Sequence, residues 1–315
     1  MTARRWWNAL AVATLSIAAI AVGLRFVPIL NRPMIAAVAL APYLMLGAPV
    51  AAIVFGALRR WPATLAALVM SAVIVGVQMP VYVGEAAPDG VTIRFVSANL
   101  RYGNADAEDV MRVFRENADV VAVQELTPQA AQRLEPLRAD FPFQALTPRE
   151  GPAGVGIWSR YPITGITPVD GFWLGLLTAR VRIPDVGAET TLVTTHLSAP
   201  WPDPFQGWRD DMARLATTLQ QIAADSPGPV IVGGDLNSTT DMREFRRLLR
   251  DGYRDAAEQA GAGLTRTHPA DLALPPVFAV DHILTRGCTA TAVRTIPIAR
   301  SDHQALAANV VLTHA

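Results

Sequence analysis

The chain contains no lysine and only one cysteine, Cys288. A lone cysteine excludes an intramolecular disulfide, so cysteine usage leaves the cellular compartment open. No His and acid surround Cys288 in sequence, and its apolar neighbours fit a core strand or turn better than a nucleophile. All 27 cations are Arg, which reads as a codon bias of the genome rather than as function. No repeat of 20 to 50 residues and no low-complexity segment appears. A basic excess is also missing: from Gly90 onward, 21 Arg face 25 Asp and Glu, a net charge of −4. That is not the balance of a protein held to nucleic acid by phosphate contacts.

Apolar residues are abundant, at 51%, and unevenly spread. Residues 1–84 hold six Arg and all three long apolar runs, at 8–24, 34–58 and 63–83, and the first acids, Glu85 and Asp89, follow them. Each run is close to the ~20 residues that cross a hydrocarbon core. A cleaved signal peptide explains only the first, so 1–84 is expected to be a membrane anchor of three transmembrane helices. Residues 85–90 then form a linker and 91–315 the catalytic domain. Arg4, Arg5, Arg59 and Arg60 flank one side of the runs, against Arg25 and Arg32 on the other. This bias places the N-terminus in the cytoplasm and the large domain outside, as a multi-pass protein of the cell membrane. Pro42, Pro49 and Pro80 are tolerable kinks, and no acid or His inside a run marks a transport path.

Beyond the linker, "VTIRFVSANL" alternates as a strand ending at Asn99, and the stretch after Asn104 and Asp106 carries Val110, Val113 and Phe114 at helical spacing. "ADVVAVQEL" reads as a buried strand ending at Glu125. A helix near 127–137, strands at 154–159, 178–183 and 190–197, and a helix near 208–224 follow. The "VIVGGDLN" strand, a short helix after Asp241, a strand ending at Asp281 and one beginning after His303 complete the domain. Strands outnumber helices without strict alternation, which favours sheet packed on sheet under a cover of helices.

Polar residues mark the strand ends: Asn99, Glu125, His196, Asp235, Asn237, Asp281, Asp302 and His303. Strand ends and their loops are where scaffolds mount chemistry. Singly, each has an ordinary structural explanation as a strand terminus, a surface acid, a core histidine or a turn residue. His282 alternates to the opposite strand face from Asp281 and is expected to be structural, while His268 and His314 stand in no motif.

Taken in order, "SANLRYGN", "VVAVQEL", "GVGIWSRYPI", "VTTHL", "GGDLNS", "VDHIL" and "SDHQAL" resemble the endonuclease/exonuclease/phosphatase (DNase I-like) family over about 91–312. The resemblance implies a four-layer α/β sandwich of two mixed sheets flanked by helices. It also implies a divalent metal, Mg²⁺ or in its place Mn²⁺, at the strand ends. Glu125, Asn99 and Asp302 are the expected metal-binding residues, being hard oxygen donors suited to a small hydrated cation. The catalytic set is Asp235, Asn237, His196, His303 and Asp281. Asp281 would orient His303, which acts as a base toward water or as a charged clamp on phosphate; Asp235 is the other candidate for activating water. Asn237 and His196 would donate to phosphoryl oxygens. Gly233 and Gly234 then look like room for a bulky ester.

The motifs leave the ester open, because one fold hosts many substrates. A lipid or lipid-linked phosphate at the outer membrane face is the favoured substrate. "SAPWPDPFQGW" places Trp201, Phe205 and Trp208 after His196, and "GFWLGLL" at 171–177 adds a second apolar segment that could meet lipid. The short tether, of ~25 Å at most, would keep the site near the bilayer. A metal-dependent extracellular nuclease is the alternative, and a surface protein that binds phosphorylated ligands without turnover is a third class. Several spans ahead of this domain, and "PWP" after the histidine, also resemble the VanJ-like branch linked to glycopeptide (teicoplanin) resistance and thought to act on undecaprenyl-type lipid phosphates.

Overall fold

The apolar N-terminal runs fold as helices: α1 (Ala3–Leu24), α2 (Arg32–Ala39), α3 (Ala41–Leu44), α4 (Gly47–Ala57) and α5 (Trp61–Gln78). The coordinates are a computed structural model that describes residues 3–313, so His314 lies outside the described residues. Two helical segments, Ala3–Leu24 and Trp61–Val81, are long and apolar enough to cross a bilayer. The run at 34–58 is a third such segment only if the pair Arg32–Ala39 and Ala41–Ala57, bent by 59°, counts as one span. The bend has a local cause: Pro42, in the first turn of α3, lacks an N–H, and its ring excludes a straight helix through Leu40. Small residues let these helices approach closely. Ala11, Ala18, Ala48, Ala51 and Ala67 are buried, and a Cβ on Gly47 would lie 2.4 Å from the Thr14 carbonyl oxygen. The compact unit that contains these helices runs to Pro80 and includes Thr239–Arg246. In it Asp241 pairs with Arg25, and Glu244 accepts the N–H of Ile29 at 3.0 Å.

The second unit, Val81–Ser238 with the chain from Arg247 onward, contains the sheets. Its strands are β1 (Val91–Asn99), β2 (Val120–Gln124), β3 (Phe143–Thr147), β4 (Val155–Ser159), β5 (Ile163–Pro168) and β6 (Gly175–Val181). They continue with β7 (Thr190–His196), β8 (Val230–Asp235), β9 (Arg254–Asp255), β10 (Asp281–Arg286), β11 (Cys288–Ile296) and β12 (Ala305–Leu312). One sheet has the order β11-β12-β1-β2-β4-β3 and the other β5-β6-β7-β8-β10-β9. β1 with β2 and β7 with β8 are the parallel pairs, and the remaining neighbours are antiparallel, so both sheets are mixed. Between the sheets lies a dry layer of Ile93, Phe95, Ala122, Leu192, Ile231, Ile283 and Leu306.

Helices flank the sheets: α6 (Ala107–Asn117), α7 (Pro128–Arg133), α8 (Phe205–Asp225) and α10 (Ala256–Ala260), while α9 (Arg243–Leu248) begins within the segment that belongs to the first unit. Val110, Val113 and Phe114 of α6 pack with Val121, Val123 and Trp158 on the outer face of the first sheet. α8 buries Trp208, Met212, Leu215 and Leu219, a 3.6-residue periodicity that gives it a single apolar stripe. Cys288 opens β11 as a buried thiol raised to about 12 by burial, which makes it inert.

The expected linker is docked rather than free. Val81 accepts the N–H of Gly263 at 2.8 Å, Glu85 donates its N–H to Gln259 at 2.7 Å, and the Glu85 carboxylate pairs with Arg254. A Cβ on Gly84 would lie 2.9 Å from the Ala260 carbonyl oxygen. This segment enters β1 at Val91, about 26 Å from Asn99 at ~3.3 Å per residue.

Candidate active site

The inner faces of the two sheets change character along their length. Ser97, Gln124 and Thr194 follow the apolar layer as a buried polar rung, in which Gln124 Nε2 donates to Thr194 Oγ1 at 3.1 Å across the sheets. One residue pair further on, the strands end in charge. His196 sits opposite Asp235, and Asp235 opposite Asp281, in one row across the second sheet. Asn99 ends β1 on the facing sheet, beside Gln124. With a period of two, Phe95, Ser97 and Asn99 share one face of β1, so the register that dries the core also aims Asn99 at Asp235.

Glu125 needs a different device, because a continued strand would turn it away from its neighbour Gln124. Its φ of +57° breaks the alternation, and the side chain meets Asn99, whose Nδ2 donates to Glu125 Oε1 at 3.0 Å. Arg101, Tyr102 and Asn237 also have positive φ, at 49°, 53° and 47°. Such backbone costs about 1–3 kcal/mol per residue and persists where the surroundings enforce it. Here the 101–103 turn places the Tyr102 N–H on Glu125 Oε2, and Gly103 is pressed so closely on Thr127 that a Cβ would lie 2.4 Å from its hydroxyl.

Asp235 is the hub. Its Oδ2 accepts from Asn99 Nδ2 at 3.1 Å and lies 3.5 Å from His196 Nε2 and 3.6 Å from His303 Nε2, while Oδ1 accepts the backbone N–H of Asn237 at 3.0 Å. His196 donates Nδ1–H to the Pro152 carbonyl at 3.1 Å, which turns Nε2 toward Glu125 and Asp235. His303 donates Nδ1–H to Asp281 at 2.8 Å. Burial alone would lower the pKa of His303, but the charges of Asp281 and Asp235 and the Asp281 hydrogen bond raise it to about 10. Asn237 donates one amide N–H to the Leu197 carbonyl at 2.9 Å, which leaves the other free to serve a ligand.

Asn99, Glu125, His196, Asp235, Asn237, Asp281 and His303 thus gather at one end of the sandwich. The Asp302 carboxylate lies 3.9 Å from Arg101 Nε, and Asp302 groups with His268 and His303. Asp235, Asp281 and His303 form a second group with donor atoms close enough for one ion. The site suits a divalent cation. Glu125, Asp235 and Asp281 are buried carboxylates that converge against two imidazoles, and Glu125 and Asp235 come within hydrogen-bond reach of the same Asn99 nitrogen. Buried like charges at that spacing call for a cation, and hard oxygen donors fit an alkaline-earth or similar ion.

Two expectations change. The strand expected to end at Asp281 begins there, since antiparallel pairing with β8 puts the start of β10 level with the end of β8. Nor do the glycines make room for an ester. A Cβ on Gly233 would meet the Phe95 ring at 2.7 Å and one on Gly234 the Thr195 carbonyl at 2.3 Å, so both serve close packing.

Sequence reasoning missed three positioning residues. Ser301 donates its hydroxyl to the Asn99 carbonyl at 2.9 Å and accepts the His303 N–H at 3.1 Å, joining the two sides of the site. Asp211, fully buried on α8, accepts the N–H groups of Trp173 and Ser198 at 3.1 and 2.9 Å and so pins together the two aromatic rim loops. Asp255 accepts from His282 at 2.8 Å, and the other ring nitrogen of His282 reaches the Ser238 carbonyl at 2.9 Å beside Asn237. His282 therefore faces away from Asp281, as its alternation requires. Of the rim aromatics, Trp208 is buried and donates Nε1–H to the Asn237 carbonyl, and Phe205 stacks on it. Trp173 and Trp201 are 58% and 71% exposed.

No curated protein matches the chain. Among solved structures it is similar to humanized D. rerio TDP2 carrying 14 mutations, at 21% identity and a TM-score of 0.58, over 70% of this chain and 98% of that one. D. rerio TDP2 complexed with single-strand DNA product is similar at 20% identity and a TM-score of 0.57, again over 70% and 98%. An endonuclease/exonuclease/phosphatase from Bacteroides vulgatus follows at 17% identity and a TM-score of 0.57, over 70% and 99%. At these identities the likeness establishes a shared fold. The model of the Endonuclease/Exonuclease/phosphatase family matches residues 96–303, a span that holds every residue of the row just described, and the chain belongs to this family of phosphoester hydrolases.

Proposed function

We propose that the chain is a membrane-anchored, divalent-metal-dependent phosphoesterase that hydrolyses a phosphate ester or pyrophosphate on a lipid or lipid-linked substrate at the outer membrane face. The observation that carries the reaction class is the convergence of Asn99, Glu125, His196, Asp235, Asp281 and His303 on one end of the sandwich. The anchor comprises residues 1–84, with the bent helix pair as its third span, a cytoplasmic N-terminus and an extracytoplasmic domain from 91 onward.

Glu125, Asn99 and Asp302 would hold Mg²⁺ or Mn²⁺, with Asp235 close by; when bound, the ion neutralises a phosphoryl oxygen and the charge that develops on the leaving oxygen. Asp235 orients a water and takes its proton as the water oxygen bonds to phosphorus and the ester P–O bond breaks. The leaving oxygen then takes up a proton. Asp235 is held for this task by the Asn237 N–H on one oxygen and Asn99 on the other. Asn237 and His196 donate to phosphoryl oxygens, and His303, locked by Asp281, is a cationic clamp on the same group.

A lipid substrate is supported by the apolar helices and by Trp173 and Trp201, exposed on loops that Asp211 ties together beside His196. It also agrees with the resemblance to the VanJ-like branch. The DNA product bound by D. rerio TDP2 supports a second reading, a nuclease. Charge speaks against it: the domain is acidic, and in α9, which carries Arg243, Arg246 and Arg247, Arg246 donates to the backbone carbonyls of Thr240 and Asp241. The test is metal-dependent phosphate release by the full chain from prenyl pyrophosphate, a phosphodiester lipid, inositol phosphates and DNA. Turnover confined to DNA would overturn the lipid assignment.

A further inference from the structure

The end of the helical unit where α1 and α5 begin holds a cation-lined cavity. Arg4, Arg5, Asn8, Leu58 and Arg60 line an open cavity of about 530 Å³ there. Arg4 donates Nη2–H to the Leu58 carbonyl at 3.0 Å, covering the C-terminus of α4, and Arg60 hydrogen-bonds Asn8. The charge is uncompensated: among the described residues Arg4, Arg5, Arg59 and Arg60 form no ion pair, and the sequence has no acid before Glu85. The acids of the unit, Asp241 and Glu244, bind Arg25 and Ile29, beyond the far end of α1 and a helix length of about 33 Å away.

Around the same end, Trp6, Trp7 and Trp61 are more than half exposed. Indole rings on the outside of an apolar bundle settle at headgroup depth, and basic pockets between spanning helices take anionic headgroups. We propose that this cavity binds the phosphate of an anionic lipid headgroup, with Arg4, Arg5 and Arg60 as its ligands. The inference rests on the membrane-anchor reading. A free phosphate offers the same chemistry, so the test separates the two sources.

The full chain is floated with vesicles of phosphatidylcholine, and with vesicles that also contain phosphatidylglycerol, and the lipid retained after extraction is counted by native mass spectrometry. Selective retention of phosphatidylglycerol is expected. The triple variant Arg4→Gln/Arg5→Gln/Arg60→Gln weakens it on the order of 100-fold, at about fivefold per arginine. The corresponding Arg→Lys triple keeps most of it, which shows that the bundle is intact. Inorganic phosphate leaves the lipid in place. Unchanged retention in the Gln triple overturns the site, and displacement by inorganic phosphate overturns the lipid assignment. A chain that floats with both vesicles but retains neither lipid sinks this inference alone, whereas one that floats with neither sinks the membrane reading as well.

Discussion

Asp281→Asn isolates the charge that governs His303. Asp281 is buried and accepts the Nδ1–H of His303 at 2.8 Å. Burial works to lower the imidazole's pKa, and Asp281 is the foremost of the groups that overcome it and hold the ring at about 10. The distance from 6.5 to about 10 is worth roughly 5 kcal/mol at about 1.36 kcal/mol per pH unit. In the variant, desolvation faces Asp235 with little help, and the pKa is expected to fall on the order of three pH units, to near neutrality. The assay is an NMR pH titration of labelled histidine in the full chain, with chelator present so that no metal competes, beside hydrolysis of bis-(p-nitrophenyl) phosphate over the same pH range. Wild-type turnover should decline only as pH rises toward about 10, and that of the variant already near neutrality. Stability follows the same sign. A raised histidine stabilises fully below about 6.5 and loses its contribution as pH rises through about 10, so the Tm gap between wild type and variant narrows across that window. Asp281 acts at the other end: burial opposes its ionisation but the His303 charge lowers its pKa, so its contribution is present above about 3.8 and fades as pH falls below that. A wild-type His303 that titrates near 6.5, or a variant ring that does not move, would refute the reasoning.

Removing the Asp235 carboxylate by Ala should cost about 10²–10⁴ in kcat, since a general base contributes on that scale; single-turnover kinetics reads it. Chelation should abolish phosphate release, and Mg²⁺ or Mn²⁺ should restore it, while Glu125→Gln should raise the metal concentration needed for half activity. His282→Ala strips Asp255 of its buried partner and is expected to destabilise by about 3–5 kcal/mol in denaturant titration. Gly233→Ala, with its Cβ 2.7 Å from Phe95, should cost about 1–3 kcal/mol by overpacking, and Phe95→Leu should relieve part of it.

The sequence reading recovered the interior of each sheet and missed the rims. β3 and β11 border one sheet, β5 and β9 the other; of the four only β11 was touched on, through the strand or turn expected around Cys288. The reason is exposure on one face. "CTATAVRTI" is buried at only three positions and "ITGITP" at none, with Thr, Arg, Gly or Pro breaking their apolar pattern, whereas "VVAVQ" and "VIVGGD" are buried throughout and read as continuous apolar runs. β10 was misplaced because "VFAV" is as apolar as the strand it precedes, and nothing local says that pairing starts at Asp281. Site residues at strand ends were visible as polar stops in apolar runs. Ser301, Asp211 and Asp255 were not, because each acts on a backbone group or a side chain that only tertiary structure brings near.

β1 has one neighbour close in sequence, β2, and one very far from it: Val91 pairs with Leu312. During synthesis the N-terminal helices and β1 emerge first, and the flank of β1 that β12 will cover stays open until almost all of the remaining chain has been made. The strand waiting there is buried over most of its length in the finished fold, so slow arrival of β12 invites non-native edge pairing. The same late strand delivers Ser301 and His303 to Asn99 and Asp281. Hydrolytic competence is thus tied to completion of the polypeptide: a nascent or interrupted chain already carrying its membrane helices would still lack the imidazole that completes the row.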